Sequence, residues 1–97
     1  MITRIVSKEF YRNYLKKSEE FLNSSNKAFD DESWNSCVLN AIYCGISASD
    51  ALAVFFLGLR HAGEKHEDVV ELLQTLNLVD IKTKIKQLLD LLALKNK

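Results

Sequence analysis

DDESWNSCVLNAIYCGISASDALAVFFLGLRHAGEKHEDVVELL, Asp30–Leu73, is the stretch that decides the fold. Its first half reads as one long helix in which Trp34, Val38, Ala41, Ile42, Ile46, Leu52, Phe55, Phe56 and Leu59 recur at helical spacing. The middle of that helix is thin, because Ala41, Cys44, Gly45, Ala48 and Ser49 carry little bulk and let a neighbouring helix come close. Close packing then offsets the roughly 1 kcal/mol that Gly45 costs in a helix relative to alanine. Asp30 and Asp31 are expected to cap the start of this helix and to complement its dipole. The segment Arg60-His61-Ala62-Gly63-Glu64-Lys65-His66 reads as a turn bracketed by Gly58 and Gly63, with Arg60 at the negative end of the dipole. A short third helix follows, with Glu67 and Asp68 in its first turn and Val69, Val70, Leu72, Leu73 and Leu76 on its apolar face. Asn77 is expected to stop it in a left-handed conformation.

On the N-terminal side, a first helix is expected after Ser7, with Tyr11, Tyr14, Leu15, Phe21, Leu22, Ala28 and Phe29 on its core face. Ser18 and Ser25 fill small slots in the same stripe. On the C-terminal side, a fourth helix follows Asp80, with Ile81, Ile85, Leu88 and Leu92 on one stripe and Leu89 at its edge. Leu91 and Leu94 fall off that stripe at 100° per residue, so the end of this helix is apolar on more than one side. That predicts a contact surface and self-association through Leu91 and Leu94. With no proline and three glycines in the chain, little interrupts the helices. The expectation is a single all-α domain over residues 1–97, an antiparallel, up-and-down four-helix bundle.

A domain of 97 residues buries only roughly 60–65% of the surface its unfolded chain exposes, so a partner would add useful stability. Thirteen basic residues balance thirteen acidic ones, which excludes a global field drawing the chain onto nucleic acid or an anionic membrane. Any RNA contact must be local. No apolar run approaches the roughly 20 residues of a membrane span, and the N-terminus lacks the apolar core of a signal peptide; the expected location is the cytoplasm, with no membrane partner. Cys37 and Cys44 are seven residues apart on one helix, about 10 Å between α-carbons at the helical rise, beyond disulfide reach. They read as small core residues. No ligand spacing for a metal is present, and no cofactor is expected.

Ala41-Ile42-Tyr43-Cys44-Gly45-Ile46-Ser47-Ala48-Ser49-Asp50-Ala51-Leu52, the glycine-containing turn, and His66-Glu67-Asp68-Val69-Val70-Glu71-Leu72-Leu73 together resemble the HEPN domain superfamily over about residues 8 to 95. The resemblance rests on a small-residue second helix with an acidic residue before Ala-Leu, and on a third helix with a His-Asp-Leu-like start. It implies an antiparallel helical bundle, frequently dimeric, in a superfamily associated with nucleotide-binding partners, toxin–antitoxin modules and, in many members, metal-independent RNA cleavage. Ribonuclease members of the superfamily use an Arg followed after four to six residues by a His, usually late in the domain. Arg60 and His66 fit that spacing but lie in the turn after the second helix. Sequences of this type also continue into a final, fifth helix, which this chain is expected to lack.

Three functions follow from these readings. The first is a non-catalytic helical interaction or nucleotide-associated module, half of a toxin–antitoxin-like pair, acting as a homodimer or with a nucleotidyltransferase-like partner. The second is a metal-independent ribonuclease in which the His66 imidazole takes a proton from a ribose hydroxyl and the Arg60 guanidinium holds the phosphate. The third is a purely structural helical protein. RNA or a nucleotide is the expected ligand for the first two. Asp50 sits among apolar neighbours in mid-helix, where a buried carboxylate requires a partner; it is a candidate member of a polar ligand groove, with a lysine or a tyrosine hydroxyl as its structural alternative. Tyr43 is the aromatic best placed for base stacking; the others read as core. Lys16-Lys17 and Lys82-Lys84-Lys86 read as solvated helix faces, and His61 as solvated.

Overall fold

The computed structural model describes residues 3–62 and 68–95. In chain order it contains strand β1 (Thr3–Ile5), a 3-10 turn (Lys8–Phe10), α1 (Tyr11–Asp30), α2 (Trp34–Leu57), strand β2 (Leu59–His61), α3 (Asp68–Gln74) and α4 (Ile81–Lys95). The chain is mostly helical, as its periodicity predicts. The small antiparallel ribbon is the addition.

α1 and α2 form an antiparallel hairpin held by two hydroxyl rungs. Ser18 Oγ donates to the Cys44 carbonyl at 3.0 Å, and Ser25 Oγ donates to the Cys37 carbonyl at 2.8 Å. Two serines seven apart on α1 thus meet two cysteines seven apart on α2, which fixes the register and lets the helices pack through small side chains. The cysteines are half-buried, each thiol lying beside its serine hydroxyl.

Asp30 and Asp31 do not open α2, as expected from their type; they end α1. Glu32 takes a left-handed φ of 59°, its N–H donates to the Phe29 carbonyl, and the Ser33 N–H donates to the Ala28 carbonyl. This paired closure is a Schellman motif. It uses up residues 31–33, so α2 begins at Trp34.

Leu59 and Arg60 likewise fall outside α2. Gly58 adopts φ 64° and caps the helix, its N–H donating to the Val54 carbonyl at 3.0 Å. The left-handed residue turns the chain back, and the Gly58 carbonyl accepts from the Val6 N–H at 2.9 Å. β2 then pairs with β1 in the register Thr3↔His61, Arg4↔Arg60, Ile5↔Leu59. Gly63 and His66 lie outside the described residues. α3 ends without a left-handed Asn77: Thr75 Oγ1 donates back to the Leu72 carbonyl at 2.7 Å, and the positive φ falls on Asp80, whose carbonyl accepts the first helical bond of α4.

α2 is the central element. One side meets α1, and the other buries Ile42 and Ile46 against Val69, Val70 and Leu73 of α3, Leu76, and Ile85, Leu88 and Leu92 of α4. By length and composition this 24-residue helix is apolar enough to cross a membrane, contrary to the expectation that no run comes near that length. In this fold its apolar side chains serve packing on both flanks. α4 packs closely on Gly45, since a Cβ there would lie 3.3 Å from Leu88 Cδ1 and 3.4 Å from Leu91 Cδ1. The expected compensation for a mid-helix glycine is therefore present.

The aromatic stripe departs from expectation. Phe29, Trp34, Phe55 and Phe56 are all exposed, as are Leu15 and Leu22. α1 is covered by α2 alone among the longer helices, and a single neighbour can bury only a narrow stripe. What lies on that stripe is Tyr14, Ser18, Phe21, Ser25 and Ala28.

Candidate functional site

Asp50 stands on α2 two turns before its end and is 3% exposed. Because Gly58 reverses the chain, β2 runs back past it and delivers two side chains to the carboxylate. Arg60 Nε donates to Asp50 Oδ2 at 3.3 Å. His61 Nε2 lies 3.4 Å from Asp50 Oδ1 but is not aligned for a hydrogen bond, so Oδ1 and both ring nitrogens are buried without a protein partner. His61 is 6% exposed, not solvated. Its burial comes from strand pairing, which turns one side of β2 toward the helices.

Burial pushes the Asp50 pKa above the ordinary aspartate range. The charges of Arg60, His61 and Lys17 and the Arg60 hydrogen bond pull it down without cancelling that effect. The partner of Asp50 is therefore an arginine, in place of the lysine or tyrosine hydroxyl that composition offered. The Arg60 guanidinium also lies over the Tyr14 ring, Cζ 5.3 Å from the centroid, a cation–π geometry. Arg60 is thus held from two sides, its side chain 29% exposed. Its role is not at a helix terminus.

Of the residues singled out from the sequence, Asp50 and Arg60 come together. Tyr43 sits two turns away on α2 with its ring against Phe21, 5.3 Å between centroids. His66 is outside the described residues, so the Arg60–His66 pairing has no geometry here. Tyr14 and His61 are members that sequence reading missed. The signal for His61 was its position directly after Arg60 beside a glycine-capped helix end.

A second feature is apolar. α1 and α4 do not touch among the described residues, which leaves a strip of α2 open between them. Tyr11 and Leu15 of α1 border Ala48, Ala51, Leu52, Phe55 and Phe56. On the other side Ala48 and Leu52 continue into a groove with Gly45, Ser49, Lys84, Gln87, Leu88 and Leu91. Leu91 is therefore half-buried, packed against the core and lining the strip; Leu94 is exposed on the following turn. Among the lysines of α4, Lys86 forms an exposed ion pair with Asp90 at 3.2 Å.

No protein-family model, curated protein or solved structure matches the chain. Among the described residues no three His, Cys, Asp or Glu side chains cluster in a way that could hold a metal ion.

Proposed function

We propose that this chain is a non-catalytic helical interaction module, an up-and-down bundle of HEPN type, that docks a second copy of itself along the open strip of α2. A nucleotidyltransferase-like protein, as in a toxin–antitoxin-like pair, is the alternative occupant of the same face, and the cytoplasm is the proposed setting. The observation that carries the reading is the strip itself. It runs from Ala48 through Leu52 to Phe55 and Phe56, small at one end and large at the other, along the part of α2 that α1 and α4 leave open. Small residues admit an incoming helix closely, and a contiguous apolar surface of this kind marks a contact site.

The pattern also suits self-pairing. If two copies of α2 cross antiparallel near Leu52, Ala48 of one meets Phe56 of the other, as an isologous interface requires. Sedimentation velocity at tens of micromolar tests this. The chain is expected to sediment as a dimer and Phe55→Glu, a change at an exposed position of the strip, as a monomer with an unchanged circular dichroism spectrum. A monomeric parent chain without any added partner would remove the self-docking form of the proposal.

No ribonuclease activity is expected in this reading. Single-stranded RNA incubated with the chain in chelator should remain intact. Cleavage lost in both Arg60→Ala and His66→Ala, with folding retained, would replace the module by the nuclease.

A further inference from the structure

The β1–β2 ribbon places Arg4 directly opposite Arg60. Directly opposed residues in an antiparallel pair share one face with β-carbons about 5 Å apart, and like charges there are destabilising. A ribbon of three residues per strand has little ladder energy to spare for such a pair. Only Arg60 has a carboxylate, and it gives that carboxylate its Nε alone, so the two terminal nitrogens of Arg60 have no protein partner among the described residues. Arg4 is exposed and has none either. Lys17, on the α1 face that carries Tyr14, adds a third cation close enough to act on Asp50. Arg60 and Lys17 act on the single Asp50 carboxylate and Arg4 stands opposite Arg60, so these three cations exceed that carboxylate by two positive charges.

The surroundings deepen the imbalance. Residues 3–17 contain Arg4, Lys8, Arg12, Lys16 and Lys17 against Glu9 alone, in a chain whose total charge is zero. The sequence-wide balance conceals this excess along the N-terminal stretch.

We infer that the Arg4–Arg60 pair, with Lys17 at its edge, is a binding site for a phosphomonoester dianion. The chemistry favours that class for three reasons. Guanidinium groups bind phosphate oxygens through paired N–H donors in a fixed plane. Arg60 is preorganised for this, since Asp50 and the Tyr14 ring already fix the plane of its guanidinium. A phosphomonoester carries about −1.5 to −2 charges near neutrality, matching the two uncompensated cations, whereas an internal phosphodiester carries one. The site shares no residue with the α2 strip, so it stands or falls separately from the docking proposal.

The test uses the whole chain, with arginine Nε–H resonances followed by nuclear magnetic resonance during titration with inorganic phosphate, adenosine 5′-monophosphate, and an RNA oligomer carrying only internal diesters. Inorganic phosphate and the mononucleotide should both shift the Arg4 and Arg60 signals. Tighter binding of the nucleotide assigns the source of the phosphate to a nucleotide, and equal binding assigns it to any monoester. Arg4→Ala, a substitution at an exposed position that leaves the Asp50–Arg60 pair intact, should weaken binding by about tenfold or more. The rise in melting temperature given by phosphate over chloride at equal ionic strength should exceed that of Arg4→Ala, because both chains share the nonspecific salt effect and only the parent has the site. Absence of any Nε–H shift at millimolar phosphate, equal affinity in Arg4→Ala, or preference for the diester oligomer would each overturn the assignment.

Discussion

Glu32 holds a backbone conformation that a residue with a Cβ rarely adopts, with φ at 59° in the closing turn of α1. A left-handed non-glycine residue costs roughly 1 kcal/mol relative to glycine. Glu32 is exposed, so Glu32→Gly should raise stability by about 0.5–1 kcal/mol, read as a higher urea midpoint at unchanged slope. Asp50 offers the converse case, a buried group whose loss of partner is costly. Arg60→Ala leaves its carboxylate without a charged donor, and a cost of about 1–3 kcal/mol is expected. The same carboxylate predicts a pH dependence. Its folded pKa lies above the ordinary value, so between those two values the folded state binds more protons than the unfolded one, and stability falls as pH rises through that window. Arg60, His61 and Lys17 are the charged and titratable groups that face it. Chemical denaturation from the ordinary aspartate range upward should therefore be compared in His61→Gln and in His61→Gln with Asp50→Asn. The fall should be present in the first and absent in the second, and identical profiles would contradict it. Asp50 was legible as a residue needing a partner, because a carboxylate among apolar helical neighbours admits few other readings. The identity of the partner was not, since it arrives through a strand pairing that no local propensity encodes.

At the level of elements, helical periodicity gave α1, α2 and α4 nearly whole, and the small residues of α2 correctly pointed to close packing. The ends of the elements were less legible. Asp30 and Asp31 have the chemistry of an N-cap, yet the same residue types serve a helix end when a Schellman closure follows. Gly58 was read as a turn residue, but its left-handed φ also launches β2, whose pairing partner lies some fifty-five residues earlier in the chain. Gly45 supplies the test at this scale. Gly45→Val puts two methyl groups where Leu88 and Leu91 already approach within van der Waals contact. Overpacking of this kind costs about 1–3 kcal/mol, and the loss should appear in thermal melts. Ser18→Ala, which removes the rung to Cys44, should cost about 1 kcal/mol by the same measurement.

For the whole molecule, the arrangement is a central helix with neighbours on two sides and an open apolar strip between them. The exposed aromatics that periodicity assigned to a core are the consequence, since the pattern of a helix says which residues share a face and not whether another element covers it. At the end of α4, Leu91 lines the groove beside Gly45 and Ala48, and Leu94 is exposed. This strip is the proposed docking face. The most direct measurement is an isotope-filtered nuclear Overhauser experiment on a mixture of labelled and unlabelled chain. Contacts between copies are expected from the methyl groups of Ala48 and Leu52 and the ring of Phe55, and none from Leu89 on the outer face of α4. Intermolecular contacts confined to Leu89, or none at all at concentrations near a millimolar, would contradict it.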